Sequence, residues 1–272
     1  MSLAQTGPVT SMVDGPGGAL EVLTSGSGLP STVFAHGLAG SIETTRPFGS
    51  GVTGSRTFFS FRGHGASAAP ETDWTYDALA AELDAVARHV GATRALGVSM
   101  GAGALCSLLE QQPDRFDRLV MVIPAVVDRP RTDAAMDRLL TMAELADERD
   151  VEGVARLLLE EQPVAVRGQP AVRVWCRRQA STLVGTPVSR ALRALPGAVP
   201  LTDANVLRRV HAPVLVLAQE DDPAHPVAVA EHLAQALPEA RLEVLPPGGI
   251  MWAHRRTVRD LVGAFLSEGS TA

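Results

Sequence analysis

Short apolar runs alternate with longer amphipathic segments along the chain, and this alternation predicts its elements. Amphipathic spacing predicts a helix over 78–90, and apolar residues predict a second over 102–112 that Pro113 ends. The apolar and β-branched runs that predict strands in the first half are 9–13, 19–24, 31–35, 56–61, 93–98 and 119–123. Strands that alternate with helices predict a mostly parallel sheet with right-handed crossovers.

The alternation breaks after Pro124. The next stretch carries four helical segments and no convincing strand: 134–146, 151–161, 172–183 and 188–195. The earlier pattern resumes with a strand at 213–218, a helix at 226–237, a strand at 241–245 and a helix that ends at Leu266. We therefore predict an α/β core with an inserted helical cap. The core would comprise residues 1–128 and 206–272, and the cap residues 129–205.

Composition agrees with one large α/β domain of 272 residues, because 46% hydrophobic residues supply a sizeable core. The formal charge of −6 and the lack of a basic block argue against nucleic acid and membrane surfaces as partners. A small hydrophobic substrate fits better, and self-association into a homo-oligomer is left open. Cys106 and Cys176 lie far apart in predicted helices, which indicates free buried thiols.

The first residues, 1–14, contain neither a charged n-region nor an apolar h-region. No run of about 18 apolar residues occurs that would span a bilayer. We therefore expect a cytoplasmic protein. The sequence also lacks a His or Cys cluster with metal-ligand spacing and a phosphate-binding glycine motif, so we expect no metal and no cofactor.

The segment Gly97-Val98-Ser99-Met100-Gly101 places a serine at the turn from a predicted strand into a predicted helix. In such a G-x-S-x-G turn, the sharp bend leaves no space for side chains two residues before and after the serine. The serine is then lifted clear of the sheet. A serine hydroxyl becomes a good nucleophile when a base takes its proton and a carboxylate orients that base.

Three further motifs follow predicted strands in a consistent order: His36-Gly37, Arg62-Gly63-His64-Gly65 and the segment from Glu220 to Pro226. Together with the serine turn, they make the chain resemble the α/β-hydrolase fold family over roughly residues 18–266. The resemblance is closest to small lactonases, esterases and acyl-transfer enzymes with a helical cap. It implies an α/β-hydrolase fold with an active site beneath the cap and activity on an ester, lactone or thioester of a hydrophobic small molecule.

The resemblance also implies individual roles. Ser99 would be the nucleophile and Asp222 the acid of the triad, with Asp221 as the alternative acid. The backbone N–H groups of Leu38 and Met100 would form the oxyanion hole. His36 and His64 would be structural residues that brace the loops in which they lie.

The base of the triad is where the sequence departs from the family. In the family a histidine follows the last strand, usually just after a glycine, but here Gly248-Gly249 is followed by Ile250. An isoleucine can neither accept nor donate a proton. The nearest histidine is His254, and four helical residues span about 6 Å, more than a hydrogen bond.

Three interpretations therefore remain. A reshaped loop could bring His254 to Ser99 and complete an ordinary triad. Alternatively, the triad is broken, and Asp222 acts by itself in an apolar pocket with a raised pKa, in lyase, cyclase or isomerase chemistry. The third interpretation is a protein that binds a small molecule without converting it.

The other polar candidates receive weaker interpretations. His225, three residues after Asp222, could point into the site, but turn residues of this kind usually face solvent. His211 and His232 are interpreted as surface residues. The arginines of the predicted cap could contact an anionic substrate, although a solvated helical face explains them more simply: Arg167, Arg173, Arg177, Arg178, Arg190 and Arg193.

Overall fold

A computed structural model describes residues 9–269. The expectation that residues 1–14 contain no leader segment therefore falls partly outside the described residues. The strands are β1 Ser11–Gly15, β2 Gly18–Ser25, β3 Ser31–Ala35, β4 Ser55–Phe59, β5 Arg94–Val98, β6 Arg118–Val122, β7 Val214–Gln219 and β8 Ala240–Leu245. All eight strands predicted from the sequence are present, with ends shifted by a few residues.

The strands form one sheet in the order β1-β2-β4-β3-β5-β6-β7-β8. β1 and β2 form an antiparallel hairpin, and β2 joins β4 antiparallel. The pairs from β4 through β8 are all parallel. The carboxyl ends of β3, β5, β6, β7 and β8 therefore meet at one edge of the sheet, which is where open α/β sheets place their ligands.

Helices cover both faces of the sheet, because successive strand residues point to opposite sides. The helices around the sheet are α1 Ile42–Thr45, α2 Tyr76–His89, α3 Met100–Gln111, α8 Val227–Ala236 and α9 Arg255–Ser267. One face packs against α2, α3 and α8, and the other packs against α1 and α9. On β5, Ala95 belongs to the first core and Leu96 to the second.

The segment between β6 and β7 is helical, as the sequence predicts. It contains α4 Ala134–Asp147, α5 Val151–Glu160, α6 Pro170–Leu183 and α7 Val188–Ala194. These helices bury a core of their own, which includes Met142, Val154, Cys176 and Leu192. Leu38, Ala39 and Trp252 of the α/β part pack against that core. The exact boundaries 1–128, 129–205 and 206–272 stay a prediction.

Local capping explains why α2 starts earlier than predicted. α2 begins two residues early because Thr75 caps it by accepting a hydrogen bond from the Ala78 N–H. α3 begins at Met100, directly after Ser99.

Cys106 and Cys176 are free and buried, as predicted. Within residues 9–269, no helix is both long and apolar enough to cross a membrane.

Candidate active site

Ser99 lies in the sharp turn between β5 and α3, as the sequence predicts. Its backbone has φ 50° and ψ −106°, a left-handed φ that side chains rarely adopt. A Cβ at Gly97 would lie 2.4 Å from the Gly101 carbonyl oxygen, and one at Gly101 would lie 2.5 Å from the Ala35 carbonyl oxygen. Both glycines are therefore sterically required for the turn that exposes the serine.

The Ser99 hydroxyl is hydrogen-bonded to His225, whose Nε2 lies 2.9 Å from Ser99 Oγ. On the other side of the ring, His225 Nδ1 lies 3.0 Å from Asp222 Oδ1. A carboxylate can only accept, so Nδ1–H donates to Asp222 and Nε2 is left to accept the serine proton. Ser99, His225 and Asp222 thus form the chain of hydrogen bonds by which serine hydrolases activate their nucleophile.

Asp222 and His225 belong to one tight turn that follows β7. Asp222 Oδ1 also accepts hydrogen bonds from the backbone N–H groups of Ala224 (2.9 Å) and His225 (3.0 Å). This local bonding pattern is that of an Asx turn, and it folds the chain back so that the imidazole meets the carboxylate. The rings of Pro223 and Pro226 fix the φ angles of these two residues, which limits the conformations that the turn can adopt.

The electrostatics of Asp222 contradict the expectation that its pKa is raised. Burial by itself would raise the pKa of this carboxyl group. The charge and hydrogen bond of His225, with the N–H donors of Ala224 and His225, outweigh burial and hold the pKa below its ordinary value. The prediction of an unpartnered Asp222 was wrong because it placed His225 in solvent, whereas only 17% of that side chain is exposed.

His254 is not part of this arrangement, so its prediction as the base is corrected. Its Nε2 lies 3.3 Å from the Pro247 carbonyl oxygen in an exposed contact, and the residue sits at the start of α9. Gly248 and Gly249 have φ 142° and 90° and lead into a π-helical turn, Gly249–Ala253. This turn buries Ile250 in the core on one face of the sheet and carries His254 past the site.

The residues predicted for the oxyanion hole lie beside the serine. Leu38 and Met100 line the same cavity as Ser99 and His225. Met100 is the first residue of α3, where a backbone N–H has no acceptor within the helix. This arrangement agrees with the predicted role of the two N–H groups, which stays a prediction.

Two buried histidines brace the loop that carries Leu38, as expected for structural residues. His36 Nδ1 donates to the Gly37 carbonyl oxygen (2.7 Å), and its Nε2 accepts from the Phe61 N–H (3.0 Å). His64 Nδ1 donates to the Arg62 carbonyl oxygen, and its Nε2 accepts from the Ala39 N–H. Burial lowers the pKa of His36 to about 3 and that of His64 to about 4, so both rings are neutral.

The cavity at Ser99 has a volume of about 250 Å³ and lies between the carboxyl edge of the sheet and the helical segment between β6 and β7, which is called the cap below. Its wall is mainly apolar. The sheet side contributes Phe48, Val98, Ile123 and Ile250, among others, and the cap contributes Leu139, Met142, Leu158 and Trp175. Of the described residues, none of the six cap arginines considered above lines this cavity. Their interpretation as a solvated face therefore fits the structure better than substrate contact.

Polar residues from the cap side also reach the cavity. Arg131, Glu161 and Gln162 are among its lining residues, and Gln162 accepts a hydrogen bond from the Trp252 indole N–H (3.0 Å). Trp252 in turn packs edge-on against Trp175 of α6. The cap and the π-helical turn after β8 therefore close one side of the cavity together.

Comparison with known proteins identifies the family. A profile of the alpha/beta hydrolase family matches residues 22–261. A pimeloyl-acyl-carrier-protein methyl ester esterase of Nitrosomonas europaea is 31% identical over 193 residues, which cover 69% of this chain and 74% of that protein.

Solved structures show the same fold. Carboxylesterase CesB of Bacillus subtilis superposes with a TM-score of 0.81 at 18% identity, covering 97% of this chain and 93% of that one. An esterase of Exiguobacterium antarcticum gives a TM-score of 0.78 at 19% identity, with coverage of 95% and 99%. With the profile match across most of its length, the chain belongs to the alpha/beta hydrolase family.

Proposed function

We propose that this protein is a serine esterase that hydrolyses carboxylic esters of hydrophobic small molecules. The observation that carries the proposal is the pair of contacts made by His225, 2.9 Å to Ser99 Oγ and 3.0 Å to Asp222 Oδ1. A base within hydrogen-bond reach of the nucleophile, itself oriented by a carboxylate, is the arrangement that acyl transfer requires. The mainly apolar cavity at Ser99 supports the hydrophobic substrate class.

In the acylation step, Ser99 Oγ attacks the ester carbonyl carbon while its proton passes to His225 Nε2. The carbonyl electron pair moves onto oxygen, where the N–H groups of Leu38 and Met100 stabilise the negative charge. The ester C–O bond then breaks, and the leaving alkoxide takes the proton from His225. Asp222 stabilises the positive charge on the imidazole throughout.

In the deacylation step, water attacks the acyl-serine carbonyl while its proton passes to His225 Nε2. The bond from the carbonyl carbon to Ser99 Oγ breaks, the carboxylic acid leaves, and the serine recovers its proton. Lactones and thioesters present the same acyl carbon, so they belong to the same proposed reaction class. Asp222 acting alone as an acid or base gains no support, because its carboxylate is engaged by His225.

The relatives agree with this proposal. The Nitrosomonas europaea protein is named as a methyl ester esterase, and two of the matched folds are named as a carboxylesterase and an esterase. These names support ester cleavage as the reaction class for this chain. The acyl and alcohol groups of its own substrate must fit a cavity of about 250 Å³.

The test is covalent labelling of the purified protein by a fluorophosphonate, together with hydrolysis of p-nitrophenyl esters that carry acetyl, butyryl and octanoyl groups. We expect stoichiometric labelling at Ser99 and ester turnover, with both abolished by Ser99→Ala. Ser107→Ala is the matched control, because that serine is buried in α3 and bonds to Asp77 instead. A folded wild-type protein that neither labels nor hydrolyses any of the esters would refute the proposal.

A further inference from the structure

Two arginines of the cap segment hold the backbone of the turn that carries Asp222 and His225. Arg131 Nη2 donates to the Ala224 carbonyl oxygen at 2.6 Å, and Arg138 Nη2 donates to the Pro223 carbonyl oxygen at 3.1 Å. We propose that Arg131 and Arg138 are positioning residues that set the place of the His225 imidazole relative to Ser99. This inference rests on the proposed function, because it assigns the two arginines a role in the reaction at Ser99.

Arg131 is itself rigidly held. Only 5% of its side chain is exposed, and its Nε and Nη2 form a two-pronged pair with Asp133 at 3.1 and 3.0 Å. Asp133 is also the N-cap of α4 and accepts from the Met136 N–H. Because a guanidinium group is planar, fixing two of its nitrogens on Asp133 also fixes the direction of the bond to Ala224.

Arg138 links the same turn to a second part of the cap. It lies on α4, and its Nε is paired with Glu161 at the end of α5. Both side chains are mostly buried, with exposed fractions of 19% and 13%. The carbonyl groups of two consecutive residues in the turn therefore accept hydrogen bonds from two different arginines. Each arginine is held in its own ion pair within the cap segment.

These contacts matter because acid and base share one turn. A shift of Pro223 and Ala224 moves His225 relative to Ser99, and displacements of about 1 Å can cost about 100-fold in rate. The Asx turn fixes the imidazole relative to Asp222, but within residues 9–269 the only hydrogen bond between this turn and Ser99 is that of His225 itself. The hydrogen bonds from Arg131 and Arg138 hold the whole turn in place relative to the cap.

The experiment compares Arg131→Gln and Arg138→Gln with the control Arg193→Gln in the same esterase assay. Arg193 is a cap arginine that pairs with Asp147 of α4 in an exposed contact away from the turn. We expect kcat to fall by about 10-fold to 100-fold in each of the first two variants. KM should change less than about threefold in Arg138→Gln, whereas Arg131 also lines the cavity, so kcat alone is the criterion for its variant. Arg193→Gln is expected to stay within twofold of wild type.

A double-variant cycle separates positioning from general destabilisation. In the His225→Ala background no base remains to be positioned, so adding Arg138→Gln should change the residual rate less than twofold. An equal loss in both backgrounds would overturn the inference. Where a glutamine variant does not fold, Arg131→Lys and Arg138→Lys replace it, because lysine keeps the charge but lacks the planar fork.

The lysine variants are expected to lose about 10-fold in kcat. Folded arginine variants with wild-type kcat would overturn the inference while wild-type turnover still supports the esterase proposal. If wild type itself neither labels at Ser99 nor hydrolyses esters, the proposed function fails, and this inference fails with it.

Discussion

Two segments at the carboxyl edge of the sheet differ in what they bring to the cavity. The turn after β7, residues 222–226, contains both a carboxylate and an imidazole within hydrogen-bond distance of each other. The segment after β8, residues 248–254, faces the same cavity with Ile250, Met251 and Trp252. The α/β-hydrolase resemblance places the base on the second segment. In this chain it is His225, a residue of the first segment, that is hydrogen-bonded to Ser99.

The comparison indicates that reach to Ser99, rather than strand order, decides which segment can place a histidine beside it. β7 and β8 are parallel neighbours, so the residues after each emerge at the same edge. After β8, two positive-φ glycines and a π-helical turn direct Ile250 into the core. After β7, the Asx turn directs His225 toward Ser99.

The largest expected effect separates the two segments directly. His225→Ala should lower kcat for p-nitrophenyl esters by on the order of 10³-fold or more, because the serine loses its base. His254→Ala is the matched control and should stay within about twofold, since that ring contacts the Pro247 carbonyl. Steady-state kinetics of the two variants measure the difference. The reverse pattern would restore His254 as the base.

The second prediction concerns the acid. Asp222→Asn keeps an oxygen that can accept from Ala224 and His225, but it removes the charge that orients and stabilises the imidazolium. We expect a loss in kcat on the order of 10³-fold with little change in KM. Asp221→Asn tests the alternative acid and should stay near wild type. Equal losses in both variants would leave the acid unassigned between the neighbours.

The third prediction concerns the segment after β8. Ile250 is 5% exposed and packs in the core with residues of β7 and α9, so Ile250→Ala should lower the free energy of unfolding by about 3 kcal/mol. Met251→Ala, at a partly exposed neighbour, should cost less. Denaturant unfolding measures both. Equal costs would show that Ile250 is not the core residue of this segment.

The smallest expected effect is on acid stability. Because the pKa of Asp222 is held below its ordinary value of 3.8, the ionised carboxylate stabilises the fold at higher pH. That contribution is present above the unfolded pKa and is lost as pH falls through the lower folded pKa. The Tm difference between wild type and Asp222→Asn should therefore shrink from about pH 6 to pH 2.5. A constant difference would mean that the charge of Asp222 does not contribute.

The sequence was sufficient for features that depend on local sterics. Gly97 and Gly101 are required by contacts within a few residues of Ser99 or on the adjacent strand, so their spacing identified the turn. The strands and the helical insertion followed from hydrophobic periodicity. The same periodicity predicted the helices α4–α7, which pack into a segment with its own core. It does not fix the residues at which the α/β core ends and this helical segment begins.

The proposed base, His225, was missed because its position depends on contacts that sequence order does not reveal. The local signal was present, since an Asp followed three residues later by a His can form an Asx turn that closes on the imidazole. The direction of that turn relative to Ser99, however, involves Arg131 and Arg138, which lie more than 80 residues away in the chain. Counting from the last strand therefore pointed to Ile250 and then to His254.

The compact turn from Asp222 to Pro226 has a consequence for how such proteins are recognised. A search that requires a histidine after the final strand would classify this chain as a degenerate, inactive homologue. Here five consecutive residues contain both the proposed acid and the proposed base, and one backbone turn fixes their mutual geometry. Because the proposed acid and base both lie in this turn, the region after β8 can differ in sequence without loss of either.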